Sequence, residues 1–437
     1  MLLNAADKAL WRLALPMIFS NITVPLLGLV DTAVNRPPGQ PGIPRRRSGR
    51  ATATSFLFML LLFLRMSTTG LTAQAWGAKD PQRLARALVQ PLALALGAGV
   101  LIILLRLPLI DLALHIVGGS EAVLEQARRF LEIRWLSAPA SLANLVLLGW
   151  LLGVQYARAP VILLVVGNLL NIVLDLWLVM GLRMNVQGAA LATVTAEYAT
   201  LIIGLLMAKR VLTLRGVSLA MLKNAWRGDL RRLLALNRDI MLRSLLLQLC
   251  FGALTVFGAR LGSDIVAVNA VLMTMLTFTA YALDGFAYAV EAHSGQAYGA
   301  RDGSQLLEVW RAACRQSGMV ALAFALIYSL AGQYIIALLT SLPSLQQLAD
   351  RYLIWQTILP VVGVWCYLLD GMFIGATRGA EMRNSMAVAR GGVCCDAAYA
   401  TGAWQPWSVA GAGGVPRPAR PVAGADLASS LATRHMV

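Results

Sequence analysis

The chain has 437 residues, of which 58% are hydrophobic and only 13% charged, and its 37 Lys and Arg against 21 Asp and Glu give a formal charge of +16. That is more apolar surface than a soluble core of this length can bury, and the scarcity of alternating polar and apolar positions excludes a transmembrane β-barrel. Five cysteines without metal-ligand spacing and three scattered histidines argue against a disulfide framework and exclude most metal-hydrolase sites.

A membrane helix needs about 20 mostly apolar residues. Ten stretches qualify, near 10–34, 52–73, 86–106, 130–155, 160–182, 187–208, 238–259, 265–290, 312–339 and 352–377. The first follows Lys8 and Arg12, is too long for a cleaved signal, and reads as a transmembrane helix. It contains Pro16, Pro25 and Asn21 and ends close to Asp31. An ionisable group inside a bilayer costs roughly 3 kcal/mol or more at the centre, so each one calls for a partner or a function. Prolines free carbonyls and permit the bending that a proton-driven switch can use.

The second helix carries Arg65 and closes on Gln74-Ala75-Trp76-Gly77-Ala78-Lys79-Asp80. The fourth contains Asn144 and Gly149-Trp150-Leu151-Leu152-Gly153, and 107–125 before it is expected to be an acidic outer loop. In the fifth, the four-residue spacing puts Asn171 and Asp175 on one face, with Asn168 a turn away. A buried carboxylate flanked by amides can hold its proton near neutral pH and release it when water or a cation arrives, although an interhelical packing network uses the same residues. Glu197 in the sixth helix is expected either to pair with Arg65 or to serve a substrate. The second half supplies Asp284, Glu291 and Asp370, with Tyr367 placed to support Asp370 from the preceding turn. Asn21, Asn144, Asn168, Glu197, Asp284 and Tyr367 are assigned to the cleft or its supporting network. Met59, Met66, Met273 and Met275 suit an adaptable apolar pocket, or equally lipid and core packing.

Gln296-Ala297-Tyr298-Gly299-Ala300-Arg301-Asp302 repeats the first phrase 222 positions on, and Gly371-Met372-Phe373-Ile374-Gly375 repeats the glycine pair at the same offset. The chain is therefore two related halves. Six helices per half is an even number, so both share one orientation and flank a central cleft. Basic residues gather after every second helix, which by the positive-inside rule makes those loops and the N-terminus cytoplasmic. The expected organisation is an all-α polytopic membrane protein on a twelve-helix plan of two six-helix bundles. An N-terminal bundle spans 1–209, a basic linker able to lie on anionic headgroups spans 210–237, and a C-terminal bundle spans 238–389.

Two stretches break the repeat. Residues 36–50, with five arginines and four prolines, occupy the place of an apolar segment in the other half, and 390–437 turn to Gly, Ala, Pro and Arg where the last two helices are due. Out-of-frame translation of a GC-rich gene explains both; a natural proline-rich loop and a disordered tail are the alternative. On the first reading the last two helices are lost, and Asp370 is left facing lipid.

No phosphate-binding loop of the G-x-x-x-x-G-K-S/T type occurs, so energy must come from an ion gradient or a partner. The paired Gln-Ala-aromatic-Gly-Ala phrases, Val30-Asp31-Thr32-Ala33-Val34 and the Asn171/Asp175 pair are similar to those of the multidrug and toxic compound extrusion (MATE) transporters, and within them the bacterial DinF branch. The resemblance covers residues 4–35 and 51–389. It implies a monomeric inner-membrane antiporter that exports organic, often cationic, compounds against protons or sodium, with no cofactor, no metal, no nucleic acid and no ATPase subunit. It also implies that Asp31 is the proton site, that Asn171 and Asp175 belong to the same network, and that Asp370 matches a tenth-helix acid linked to cation coupling. The seventh-helix acid of sodium-coupled relatives has no counterpart between Ser244 and Gly258, which favours protons. A flippase for lipids or lipid-linked sugars is the alternative, and would want a more cationic cleft; a membrane enzyme would need clustered ligands that are absent. The chain as written is expected to insert or transport poorly.

Overall fold

The computed structural model describes residues 3–34, 61–118, 120–228, 230–340 and 342–388, so the two aberrant stretches, 36–50 and 390–437, lie outside it. The side chains of 22–34 and 250–261 are likewise outside the described set. The first half contains α1 (Ala5–Val34), α2 (Phe63–Gly77), α3 (Pro81–Leu104), α4 (Arg106–Val117), α5 (Glu121–Arg134), α6 (Ala138–Gly153), α7 (Arg158–Asp175) and α8 (Asn185–Leu214). A short α9 (Leu219–Asn224) leads to α10 (Leu230–Leu261), α11 (Ser263–Gly299), α12 (Gly303–Leu339) and α13 (Pro343–Gly375). Residues 379–388 begin a further helix where the sequence expects an eleventh.

The expected spans correspond to these helices, except that residues 52–60 of the second span, including Met59, lie outside the described residues; there are three further physical differences. The stretch 107–125 is not an open loop: Ile110 and Leu114, one turn apart on α4, pack on Ala127, Leu131 and Trp135. The fourth span is made of α5 and α6, joined by a 3-10 turn at Trp135–Ser137 with a proline in the first turn of α6. The polar connector is shorter than 210–237, because α8 runs on to Leu214 and α10 starts at Leu230. Lys, Arg and Leu are good helix formers and extend both helices.

The sequence repeat is a structural repeat down to its backbone. After α2, Ala78 N–H bonds Gln74 O at 2.9 Å, and after α11, Ala300 N–H bonds Gln296 O at 2.9 Å. Lys79 and Arg301 then take left-handed φ values of 53° and 54°. Asp80 and Asp302 follow and accept backbone N–H groups of the next helix, from Gln82 and Arg83 and from Gln305. The glycine pairs repeat as well. Gln155 and Thr377, two residues past Gly153 and Gly375, have φ of 61° and 57°. A Cβ on Gly149 would lie 2.5 Å from Arg65 O, and one on Gly371 2.7 Å from Ala287 O.

The two copies of the corner touch each other. A Cβ added to Gly77 would lie 2.0 Å from Gln296 O, and one added to Gly299 would lie 2.1 Å from Gln74 O. Reciprocal contact of equivalent residues is what a two-fold relation between halves produces. Around it Gln74 Nε2 donates to Gly375 O at 3.0 Å, and Gln155 Nε2 donates to Gln296 Oε1 at 2.5 Å.

From this crossing a seam between the halves runs up α1 and α11. Leu10, Leu13, Ala14 and Met17 are buried in one cluster with Phe286, Ala289, Val290 and Ala292. Trp11 stacks edge-on against Phe286 with centroids 5.0 Å apart, while its Nε1–H donates to Gln316 Oε1 at 2.9 Å. Arg315 closes the end by an ion pair of 2.6 Å with Asp7.

Because both corners are too tight for any side chain, Gly77→Ala and Gly299→Ala should each destabilise the folded chain by about 1–3 kcal/mol, the usual cost of forcing extra atoms into a packed contact. Gly97→Ala, with no heavy atom within 4 Å of the new Cβ, should leave thermal unfolding in detergent unchanged. Equal melting temperatures for all three would contradict the crossing.

Candidate functional site

Charged groups meet where α2 of the first half faces α11 and α13 of the second. Arg65 on α2 forms a two-pronged ion pair with Glu291 on α11, Nη1 to Oε2 at 3.0 Å and Nη2 to Oε1 at 3.3 Å. Both side chains are only 2% exposed. The Tyr288 ring lies 4.4 Å from the guanidinium carbon, and Thr69 Oγ1 accepts a longer bond of 3.4 Å from Nη1. A planar guanidinium suits this place, since it can bond a carboxylate with one edge and lie on an aromatic face.

Asp370 on α13 is paired with Arg243 on α10 at 2.7 Å. The described helices thus supply its partner, while its side chain keeps 26% exposure, and the expected lipid-facing position is not overturned. Tyr367 does not support Asp370 by a hydrogen bond; it packs on Leu283, Ala321 and Val364 instead. Asp284 lies within the fields of Asp370, Arg65, Glu291 and Arg243, so three carboxylates share this region with two guanidiniums. Asn21 spans the same seam, its Nδ2 donating to Tyr281 O at 3.2 Å.

The expected pairing of Arg65 with Glu197 is overturned. Glu197 on α8 pairs with Arg134 at 3.0 Å, accepts a hydrogen bond from Ser141, and offers its backbone carbonyl to Asn144 Nδ2 at 3.1 Å. All of these residues are in the first half, so this cluster ties α5 and α6 to α8 without reaching the seam. The reason is packing: α2 lies against α11, which carries Glu291, whereas α8 lies against α5, α6 and α7 within the first half.

Asn171 and Asp175 do share one face, and both are buried, Asp175 completely. Asn171 Nδ2 reaches Thr193 Oγ1 at 3.4 Å, and Asn168 one turn back is half-buried. Immediately after Asp175 the helix widens into a π-turn over Leu176–Gly181, an irregularity frequently found at functional positions. The helix rises about 1.5 Å per residue, so Asp175 stands some 25 Å along α7 from Arg158. That places it toward the end of the bundle opposite the corners. Asp31 occupies the equivalent end of α1 by its position in the helix, while its side chain lies outside the described residues.

Among the described residues no group of His, Cys, Asp and Glu could hold a metal ion. Sequence reasoning missed Arg243 and Arg134 as partners, and it named Glu291 without one. The signal available was that intramembrane charges at matching depths must neutralise one another.

The family model MatE matches residues 16–177 and 240–388. DNA damage-inducible protein F of Escherichia coli (strain K12) is 83% identical over 390 residues, covering 89% of this chain and 85% of that protein. Multidrug export protein MepA of Staphylococcus aureus (strain MSSA476) is 25% identical over 308 residues, covering 68% and 65%. Among solved structures, one titled as the outward-facing conformation of a multidrug resistance MATE family transporter of the MOP superfamily aligns with a TM-score of 0.75 at 23% identity, covering 88% of this chain and 85% of that one.

Removing one member of a buried pair strands the other, at a cost of about 3–5 kcal/mol, whereas replacing both with neutral groups of similar volume is far milder. Arg65→Met and Glu291→Gln should therefore each lower the melting temperature strongly and the double variant much less. Additive effects in that cycle would show that the two side chains do not interact.

Proposed function

Since this chain belongs to the MatE family of membrane transporters, we propose that it is a secondary active antiporter that exports organic, often cationic, compounds in exchange for protons. One observation carries the reading. The halves meet by backbone contact at the end bearing the Gln-Ala corners, and further along α2 and α11 by the Arg65–Glu291 pair. Asp175, Asn171 and the position of Asp31 lie toward the other end. A two-lobed transporter closed on one side and loaded from the other has this arrangement.

In the topology that the positive-inside rule supports, the sealed end is cytoplasmic, and the bilayer is a bacterial inner membrane. Asp31 and Asp175 then take protons from the outer side. Asp175 is buried within the first bundle, and in this scheme its carboxyl exchanges a proton for a cationic substrate. Proton and substrate thereby compete for one charge, which is the requirement for antiport. No separate energy-converting subunit enters this scheme, and a single chain holds both halves.

Two features favour protons and cationic cargo over the alternatives. The environment of Asp370 contains the Arg243 guanidinium, where a bound sodium ion would need oxygen ligands. The seam carries three carboxylates against two guanidiniums, a negative balance opposed to the cationic cleft that a phosphate-bearing flippase substrate would seek.

Dye efflux from everted vesicles under an imposed pH gradient tests the reading, using the chain with 36–50 and 390–437 restored to the alternative frame. Asp31→Asn should abolish efflux and Asp175→Asn should reduce it at least about tenfold, the loss expected when an essential proton carrier becomes a fixed amide. Parental rates in both variants, or efflux driven only by sodium, would reject proton coupling through these residues.

A further inference from the structure

A second polar site lies away from the cleft, at the corner end of the bundle between α2, α3 and the start of α10. A cavity of about 170 Å³ is walled there by Arg83, Arg86, Gln90 and Arg232. Its floor is apolar, formed by Leu71, Ala87, Pro91 and Leu233. None of the lining residues is acidic.

Two donors in this wall, on Gln90 and Arg86, have no acceptor among the described residues. Gln90 is 3% exposed, and its Nε2 has no hydrogen-bond partner; Arg86 Nε is buried and equally without an acceptor. Neither Arg83 nor Arg86 forms an ion pair with a carboxylate among the described residues, although ion pairs elsewhere in the chain engage Arg65, Arg134, Arg243 and Arg315. Arg86 is held from behind by the connector, where a Cβ on Gly228 would stand 2.5 Å from its Nε. A buried amide donor without an acceptor is costly, and convergent guanidiniums without a counter-charge more so. An oxyanion matches these donors in charge and geometry. Guanidinium forks match phosphate oxygens in pairs, and the amide of Gln90 adds a further donor from the same wall.

We propose that this cavity binds a phosphate-bearing anion. Arg83 and Arg86 belong to the first half, while Arg232 belongs to α10 of the second and also reaches Gln74 Oε1 and Thr377 Oγ1 at 3.5 Å each. A bound phosphate therefore bridges the halves beside the glycine crossing and favours the state in which this end is sealed. The apolar floor accommodates the glycerol and first methylenes of a phospholipid, and the same donors accept a free phosphate; the two sources share one chemistry.

The test uses the full chain purified into nanodiscs of phosphatidylcholine, alone or mixed with phosphatidylglycerol, and reads retained lipid by native mass spectrometry together with the melting temperature. In the parent chain phosphatidylglycerol should be retained and should raise the melting temperature. Arg83→Gln/Arg86→Gln removes two charge-assisted contacts, either of which is worth about tenfold, so this variant should retain the lipid at least about tenfold less, and Gln90→Leu should weaken retention by a smaller factor. Arg227→Gln, on the exposed connector, controls for non-specific attraction to a basic protein and should behave as the parent. Arg83→Lys/Arg86→Lys keeps the charge but loses the fork, and should weaken retention even if the glutamine pair does not fold. Protection by inorganic phosphate in phosphatidylcholine discs, with no effect of phosphatidylglycerol, would assign the site to a soluble anion. Equal retention by the parent, the glutamine or lysine pair and the Arg227 control, or no response to either probe, would overturn the proposal.

Discussion

The approach of two backbones at Gly77 and Gly299 is the constraint on which the rest of the arrangement depends. Each glycine stands where a side-chain carbon would overlap a glutamine carbonyl of the other half, so the two corners meet in only one register. Once they do, α2 and α11 cross closely enough for Arg65 to reach Glu291, and α1 lies against α11 along the Trp11–Phe286 contact. A corner that admitted even an alanine would separate these helices and leave a guanidinium and a carboxylate in an apolar interior without partners. Small residues at the tightest crossing and polar pairs beside it are the usual means of joining helices in a bilayer, where burial from water contributes little.

The charges depart from the symmetry that the backbone keeps. Under the 222-residue offset Arg65 corresponds to Ala287, and Glu291 to Thr69, so the buried pair has no counterpart on the other side of the axis. Asp370 and Arg243 likewise correspond to Leu148 and Asn21. A duplicated scaffold with an asymmetric interior gives its two lobes different tasks: the first carries Asp175 and Asn171 deep in its own bundle, and the second carries acids that face the seam. Parting the lobes at the corner end would pull Arg65 away from Glu291 and expose both to whatever enters. The seal is therefore coupled to charge, which a purely apolar gate would not be.

Much of the fold was legible because it is written twice. The Gln-Ala phrases and the glycine pairs match residue by residue, and the left-handed turns at Lys79 and Arg301 follow from that identity. The Asn171/Asp175 face was legible because a spacing of four is a local property of any helix. The Arg65–Glu291 pair was not, since its partners are 226 positions apart and neither motif nor repeat links them. Helix α4 was read as a loop because its charged residues drew attention from the Ile110–Leu114 stripe that buries it. The phosphate cavity could not be read from sequence at all: Arg83 and Arg86 look like topology signals, and only the placement of Gln90 and Arg232 opposite them gives those charges a common focus.

The proposed exchange requires the corner seal to open. Gln155 and Gln296 bond directly across it, so cysteines at these two positions in a background without other cysteines can be joined by a short bifunctional methanethiosulfonate. Dye efflux by the frame-restored chain should stop when they are linked and return when a thiol removes the linker. Undiminished efflux with the link intact would show that the seal does not part and that transport does not pass through it.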